Sequence, residues 1–569
     1  MSGQEQETQG LVANGSASIR YDGSSPNDIQ PSAQANRDRF DDAHLAMLDP
    51  DSLSTGRKRL FVAGMILASF LAALDLTVVA TCMPTISSEL QSSDREAWIG
   101  TAYLWSTVTF TPLYGLFANF IGRRVAYLSA LALFTAGTLL CGLASSLPVL
   151  AAARFFAGMG GGGIGTVSSI ITSDLFHVRD RAFYQGLGFI GFGAGMGLGG
   201  PIGGYLTRVA GWRSAFYVQI PPAVILIGLG VWLLPAGKAR AKHSLRDWCT
   251  GIDIGGAAAL LVSIGAFLQY LSLSSSIQST QHQATTTLAL VIAAFSFLVF
   301  IYVELRIAHR PILPLYLLKQ RNSLCIGLIA GMVAIVNFNM VYHLSMLFEI
   351  AFQQTVSLAG AHLLPNSICL IIAGPVVGYL IKRTNRYKWV TSICCLGPVA
   401  SMFLLARMTP ATPTWLQWIA IVPMGCGFSG LLTSTLVGIM NQVDRSQAAI
   451  ATGFVFMFRS LGQVSGVGLS SAIFQASLNR ELVARFPSPK IIDKLRHASS
   501  AIADLPDAWS RQQAREAYQA ALHQTFAFGC AIAIGMLLVS LAIPNSPLRT
   551  ETNTCKATSH GQKPAEGDV

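Results

Sequence analysis

Residues 61–82 read FVAGMILASFLAALDLTVVATC, an apolar run in which Asp75 is the single charged residue. A helix of about 20 apolar residues is long enough to cross a hydrocarbon core of about 30 Å. Comparable runs recur along the chain, at 99–118, 125–144, 148–172, 183–206, 214–234, 252–272, 286–305, 323–347, 358–381, 389–406, 415–438, 447–476 and 523–543. The sequence therefore predicts an all-α membrane protein with fourteen transmembrane helices.

The composition of the whole chain supports this fold class. Of its 569 residues, 52% are hydrophobic and 12% are charged, whereas soluble domains average about 25% charged residues. So few charges cannot cover the surface of a soluble particle of this size. The ten cysteines are scattered without paired or metal-ligand spacing, so we expect no disulfide framework, no metal site and no cofactor.

The net charge of +11 is unevenly distributed. Residues 1–56 are polar, acidic and without hydrophobic periodicity, which predicts a disordered cytosolic tail. No apolar segment precedes 61–82, so we expect no cleaved signal peptide. Most of the remaining positive charge lies between apolar runs, where it indicates membrane topology rather than nucleic-acid binding.

The loops that follow the even-numbered predicted helices hold most of these basic residues. There are seventeen: Arg123, Arg124, Arg179, Arg181, Lys238, Arg240, Lys242, Arg246, Arg306, Arg310, Lys319, Arg321, Lys382, Arg383, Arg386, Lys388 and Arg445. The short loops after odd-numbered helices hold four, namely Arg95, Arg208, Arg213 and Arg407. Because basic loops stay in the cytosol, both termini are predicted to be cytosolic. The loop 477–522 is predicted to lie on the other side despite its seven basic residues, since long loops weigh less in this rule.

Ionisable residues deep inside the predicted helices are the candidate functional residues, since each costs about 2.5–3.5 kcal/mol or more there. Asp75 is the acid that lies well inside a run, and Arg154 and Arg459 are the deep bases. Asp75 is interpreted as a proton-coupling or substrate residue, or alternatively as a structural carboxylate bonded to a neighbouring helix. Arg154 is interpreted either as a proton-linked residue or as a structural counter-ion.

Glycines of the fifth predicted helix form a second pattern. They recur at every fourth position and are followed by a proline-containing element: Gly191, Gly195, Gly199, Gly200, Pro201, Gly203 and Gly204. Such spacing lets two helix backbones approach closely, which indicates either a fixed packing face or a pliable contact that moves during transport. The chain holds no P-loop motif and no odd-side loop large enough for a catalytic domain, so we expect neither an ATP-driven pump nor an enzyme.

Short motifs lie in and between the predicted helices. The first helix reads LDLTVVATCMPTI over 74–86, and the fifth carries GPIGG at 200–204. The loop after the second helix carries Gly115, Asn119, Gly122, Arg123 and Arg124. Other elements are Arg154 with Gly158, Gly211-Trp212-Arg213, Pro311 with Pro314, Gly360 with Pro365, and Arg459 with Gly462. Over residues 60–545 the chain thus resembles the major facilitator superfamily, in particular its fungal fourteen-helix drug:proton antiporters.

The resemblance implies two six-helix bundles, at 57–237 and 311–546, with a linker and two inserted helices at 238–310. Residues 547–569 would form a cytosolic C-terminal tail. A substrate cavity would lie at the bundle interface near mid-membrane and work by alternating access. Asp75 and Arg154 would then serve proton coupling or the cavity, the motif at 115–124 would form a cytosolic gate, and Arg459 would be the candidate of the second bundle.

Three positions depart from the family pattern. Asn119 stands where the gate motif has Asp, so an expected negative partner of Arg123 is missing. Ala157 stands where the helix-four motif has Gln, and Met196 stands where the helix-five motif has Gly. The first departure concerns regulation of the gate and the second concerns proton relay through Arg154.

The function implied is that of a monomeric secondary transporter in the plasma membrane. It would export a small amphiphilic or cationic organic solute, such as a drug or secondary metabolite, in exchange for protons. Its partners would be this solute, protons and the lipid bilayer, without nucleic acid. Two alternatives stay open: a vacuolar basic amino-acid/proton antiporter, whose sequences are similar in helices 13 and 14, and a non-transporting receptor on the same fold.

Overall fold

A computed structural model of the chain describes residues 53–90, 97–176, 178–235, 253–275, 283–307, 315–443, 447–497, 502 and 505–544. The predicted tail 547–569, nearly all of 1–56 and the basic loop 238–252 lie outside these ranges. Nearly all of the described residues are helical, and they contain no strand. The predicted fold class is confirmed.

Each predicted apolar run corresponds to one long helical segment of the described chain. In chain order these are α1 (Thr55–Glu89), α2 (Ala97–Phe120), α3 (Arg123–Leu143), α4 (Leu147–Leu175), α5 (Val178–Ala210), α6 (in two pieces, Ser214–Tyr217 and Ile220–Leu233), α7 (Ile254–Ser275), α8 (Gln283–Arg306), α9 (Arg321–Met346), α10 (Leu364–Thr384), α11 (Lys388–Ala406), α12 (Val422–Met440), α13 (Ala448–Arg485) and α14 (Ala508–Leu541). Short helices lie at Leu315–Lys319, Val356–Ala361, Thr414–Ile419 and Pro489–His497, and a π-helical turn, Leu347–Ala351, follows α9.

Within the described ranges, 10 helical spans are long and apolar enough to cross a membrane. Four of the long helices, α2, α5, α7 and α13, are not among them, and the count of fourteen spans stays a prediction. Large apolar side chains project outward from α8, where Phe295 is 67% and Leu298 64% exposed. Surfaces of this kind are the ones that lipid would cover.

The predicted loop 477–522 is largely helical in the structure. Helix α13 continues to Arg485, and α14 already begins at Ala508. Leu478 and Leu482 at the end of α13 are fully buried, as is Leu522 of α14. Because apolar side chains continue at helical spacing beyond the hydrophobic runs, the two helices pack further than hydropathy alone indicates.

The helices pack in two groups. In the first, α1 packs on α5, α4 on both α2 and α3, and α6 on α1 and α3. In the second, α9 packs on α13, α10 and α11 on α12, and α14 on α11 and α13. The inserted helices α7 and α8 pair with each other, and Trp105 Nε1 of α2 donates to the Leu261 carbonyl of α7 at 2.8 Å. The grouping agrees with the expected bundles, whose boundaries stay predictions.

The two groups meet along α5 with α10 and along α2 with α13. We call the end of the molecule where α2, α4 and α10 finish the basic side, because the even-numbered loops lie there. At this side the exposed side chains of Asp180 and Lys382 form an ion pair of 2.6 Å between α5 and α10. Nearby, the backbones of α2 and α13 touch at Gly115 and Ala449. The two groups are therefore closed against each other on the basic side.

Candidate functional site

The deep acid and the deep base of the first group form one ion pair. Arg154 Nη1 of α4 donates to Asp75 Oδ2 of α1 at 2.6 Å, and the two side chains are 1% and 0% exposed. The pair lies inside the first group of helices and ties α1 to α4. Sequence reasoning selected both residues, and the structure brings them together.

Arg154 also contacts α2. Its Nε donates to the Ile99 carbonyl at 3.2 Å, and its guanidinium lies 4.3 Å from the centre of the Tyr103 ring. The second carboxylate oxygen of Asp75, Oδ1, is buried and has no hydrogen-bond partner among the described residues. One oxygen of Asp75 therefore holds the arginine while the other is available to accept a proton or a water hydrogen bond.

A cavity adjoins this ion pair and extends to the second group of helices. The volume in it that is open to water-sized molecules is about 120 Å³. Tyr103 lies between the ion pair and the cavity, since its ring stacks on Arg154 and also lines the cavity wall. The remaining walls come from α1, α2, α4, α5 and α13, with aromatic side chains (Phe189, Phe192 and Phe456) and polar ones (Ser69, Thr107, Ser168, Gln185, Ser460 and Gln463).

Arg459 of α13 lines the same cavity from the second group of helices. Its guanidinium lies 3.9 Å from the centre of the Phe456 ring. Its Nε is buried and has no hydrogen-bond partner among the described residues. Arg459 is thus separate from the Asp75–Arg154 pair, which is not among the described residues that line the cavity.

The gate motif centres on Arg123, the first residue of α3. Its Nε donates to Asp174 Oδ2 of α4 at 2.9 Å, and its Nη1 donates to Asn119 Oδ1 at 2.7 Å. The expectation that Arg123 lacks a negative partner is therefore wrong, because the end of α4 supplies a carboxylate. Asn119 keeps the hydrogen bond that an Asp at this position would make, without a second negative charge.

The remaining gate residues have separate roles. Gly122 has φ of 88°, a left-handed conformation that favours glycine and lets the chain turn directly from α2 into α3. Arg124 is half-buried and donates from Nη2 to the Val231 carbonyl at 2.8 Å. A Cβ on Gly115 would lie 3.1 Å from the Ala449 carbonyl oxygen, so this glycine permits the contact between α2 and α13.

The glycine row of α5 faces α1. A Cβ on Gly191, Gly195 or Gly199 would overlap backbone or side-chain atoms of α1, including the Ile66 and Phe70 carbonyls. Thr77 Oγ1 of α1 donates to the Gly195 carbonyl at 3.1 Å, which adds a polar contact to this interface.

The last part of the glycine motif is less tightly packed. The Gly203 carbonyl accepts from Cys82 Sγ at 3.7 Å, whereas a Cβ on Gly204 would meet open space. Gly200 is half-buried and Pro201 is exposed inside the helix. The close backbone contact therefore ends near Gly199.

A second glycine row of α5 faces α10 and was not among the predicted site residues. A Cβ on Gly186 would overlap the Gly374 backbone, and those of Gly193 and Gly197 would crowd Ser367. Their spacing of seven and four residues is a helical pattern that the sequence does contain. Helix α5 thus contacts α1 with one glycine face and α10, of the other group, with a second.

The departures at 157 and 196 have local explanations. Ala157 is fully buried, and its backbone lies against Gly137 of α3, so the short side chain belongs to a tight contact between α3 and α4. Gly195, one residue before Met196, takes the place on the row that faces α1. The candidate proton-relay Gln is therefore replaced by a packing residue.

Comparison with known proteins agrees with this architecture. The sequence profile described as "Major Facilitator Superfamily" matches residues 65–467. The chain is 33% identical over 491 residues to the multidrug resistance protein fnx1 of Schizosaccharomyces pombe, covering 85% of this chain and 92% of that one. It is 30% identical over 504 residues to the vacuolar membrane amino acid uptake transporter fnx2 of the same yeast, covering 88% and 86%.

A solved structure shows the same fold at low sequence identity. It is that of the proton:xylose symporter XylE, with a TM-score of 0.55 and 13% identity, covering 86% of this chain and 96% of that one. The described helices, the cavity between two groups of helices and the profile match over most of the length lead to one conclusion. The chain is a membrane transporter that belongs to the major facilitator superfamily.

Proposed function

We propose that the chain is a proton-coupled antiporter that exports a small amphiphilic organic solute from the cytosol across the plasma membrane. The buried Asp75–Arg154 pair beside the cavity is the observation that carries this proposal. Relatives named multidrug resistance protein and efflux pump support the direction of transport. Both termini would lie in the cytosol.

Proton coupling needs a group whose proton affinity differs between two arrangements of the transporter. Asp75 meets this need, because a proton on its carboxylate would remove the negative charge that holds Arg154. Arg154 keeps its own proton throughout, since a guanidinium does not deprotonate in proteins. Protonation of Asp75 would therefore weaken the contact between α1 and α4. It would shift the equilibrium between the two arrangements of the transporter.

The effect would pass from α1 to the bundle interface through α5. Helix α5 contacts α1 at Gly191, Gly195 and Gly199, and it contacts α10 of the second group with its other glycine face. A change in the position of α1 would thus shift α5 against α10. This gives a physical connection between the proton site and the closed basic side.

The cavity walls suit an amphiphilic solute. Aromatic rings line it together with amide and hydroxyl groups, which would bind an apolar body and orient its polar atoms. A vacuolar basic amino-acid antiporter is the second candidate. It is supported by the relative fnx2, which is named a vacuolar membrane amino acid uptake transporter. We favour the amphiphilic solute, because the described lining residues include no carboxylate that could bind the positively charged side chain of a basic amino acid.

The test is flux in proteoliposomes with an acidic lumen, which corresponds to the external side. Two amphiphilic dyes, the cation rhodamine 6G and the anion fluorescein, serve as probes. We expect the wild type to accumulate at least one dye against its gradient and Asp75→Asn to lose this accumulation while it still passes the dye downhill. Glu516→Gln, which removes a carboxylate beyond the predicted spans, is the control.

Two results would contradict the proposal. If the wild type equilibrates dyes but never concentrates them, the chain is not proton-coupled. If Asp75→Asn still concentrates the dye, Asp75 is a structural carboxylate and the coupling site lies elsewhere.

A further inference from the structure

The central cavity has an unbalanced charge. Among the described residues that line it, Arg459 is the one that is permanently charged, and none of them is an acid. No described residue forms a hydrogen bond or ion pair with the Arg459 guanidinium, which rests on the face of Phe456 instead. A cation that is partly removed from water without a counter-charge is costly.

In contrast to Arg459, the two fully buried arginines of the first group each have a carboxylate partner. Arg154 is paired with Asp75 at 2.6 Å and Arg123 with Asp174 at 2.9 Å. The unpaired guanidinium is the one that lines the cavity, at the place where a transported solute would sit. We therefore expect the negative charge that pairs with Arg459 to be carried by the solute rather than by the protein.

We propose that the solute carries an acidic group, a carboxylate or a comparable oxyanion, which binds Arg459 while a flat apolar body lies against Phe456 and the aromatic rings of α5. This inference rests on the proposed export function and narrows its substrate class. A guanidinium offers parallel N–H donors that match the two oxygens of a carboxylate. Gln463, one helical turn beyond Arg459, would bind further polar atoms of the solute.

The proposal has a consequence for energetics. If one proton enters for each organic anion that leaves, two positive charges move inward per cycle. Export would then be driven by the membrane potential as well as by the pH gradient. A monovalent cation exchanged for one proton would move no net charge and would not respond to the potential.

The test measures the charge preference of the cavity in purified protein at equilibrium. The probes are 2-naphthoate, 2-naphthamide and the 2-naphthylmethylammonium cation, which share a ring system and differ in charge. We expect the wild type to bind 2-naphthoate about tenfold or more tightly than 2-naphthamide, the range of a charge-assisted hydrogen bond, and to bind the ammonium probe least. Arg459→Gln should bring the ratio of the two Kd values close to one, and Arg459→Lys should keep most of it.

Arg480→Gln is the matched control, because it removes the same charge from an exposed position of the same helix. It should retain the wild-type ratio. The proposal is overturned if the wild type binds the amide or the ammonium probe as tightly as 2-naphthoate, or does not bind 2-naphthoate. It is also overturned if Arg459→Gln, eluting as a folded monodisperse protein, keeps the preference.

Binding at equilibrium requires no gradient, so the two proposals can fail separately. A lost charge preference would leave proton-driven export of dyes intact, and a failure of Asp75→Asn to uncouple would leave the preference for 2-naphthoate intact.

Discussion

Arg123 and Asp174 form a buried ion pair of 2.9 Å between the first residue of α3 and the last turn of α4, with side chains 0% and 2% exposed. The same guanidinium holds Asn119 and the Ala118 carbonyl at the end of α2. One side chain thus fixes three helices at the basic side, close to the contact between α2 and α13.

Asp174→Asn should lower the thermal stability of the purified protein markedly. Removing one partner of a buried ion pair leaves an uncompensated charge and costs about 3–5 kcal/mol. Asp180→Asn is the control, because its pair with Lys382 is exposed and such pairs contribute about 0–1 kcal/mol. Melting temperatures in detergent compare the two, and equal shifts would show that the Arg123–Asp174 pair is not a stabilising contact.

Asn119→Asp should favour the arrangement in which the basic side is closed. It places a second carboxylate beside Arg123. At an exposed site a favourably placed charge of this kind contributes about 0.3–1 kcal/mol, and we expect turnover to change more than affinity. The readout is the maleimide modification rate of a cysteine introduced at Ala449, which lies at the contact of α2 with α13. The rate should fall, and an unchanged rate would refute the expectation.

Gly199→Leu should abolish transport or make the protein leaky while membrane insertion stays intact. A side chain there would overlap Thr77 of α1, and overpacking costs about 1–3 kcal/mol. Gly204→Leu is the matched control five residues further along α5, where a Cβ meets open space, and it should transport normally. Normal transport by Gly199→Leu would mean that the close contact of α1 with α5 is dispensable.

The membrane topology is tested by cysteine labelling. The basic asymmetry of the loops predicts that a cysteine replacing Arg246 reacts from the cytosol and one replacing Lys490 reacts from the other side. Lys490 is exposed in the short helix Pro489–His497, whereas Arg246 lies outside the described residues. Labelling of both from one side would show that an odd number of the intervening predicted spans is wrong.

Glu89, beyond the apolar run of α1, gives a pH-dependent test. Hydrogen bonds from Arg213 and Trp212 hold the pKa of Glu89 below its usual value. A lowered folded-state pKa stabilises the protein above the unfolded pKa, and this stabilisation is lost as the pH falls through the folded value. Glu89→Gln should therefore lower the melting temperature slightly at neutral pH. The difference from wild type should vanish in acid, and a constant difference would contradict this account.

Hydropathy predicted the long helices because the thickness of the bilayer fixes their length, and the cost of burial singled out Asp75, Arg154 and Arg459. The pairing of Asp75 with Arg154 could not be read from the chain, since the two residues are separated by 79 positions. Asp174 was missed for a different reason. It ends an apolar helix, where an acid usually meets water, and its burial depends on Arg123 reaching it from another helix.

The glycine faces of α5 restrict how this helix can move. Where backbone touches backbone there are no side-chain rotamers to rearrange, so small relative motions carry little entropic cost. Sliding is different, because the Gly191, Gly195 and Gly199 row regains an equivalent fit on α1 only after four residues, a step of about 6 Å along the axis. Any smaller displacement must be a tilt of α5 or a rotation about its own axis. Helix α5 would therefore rotate between α1 and α10 rather than slide along them.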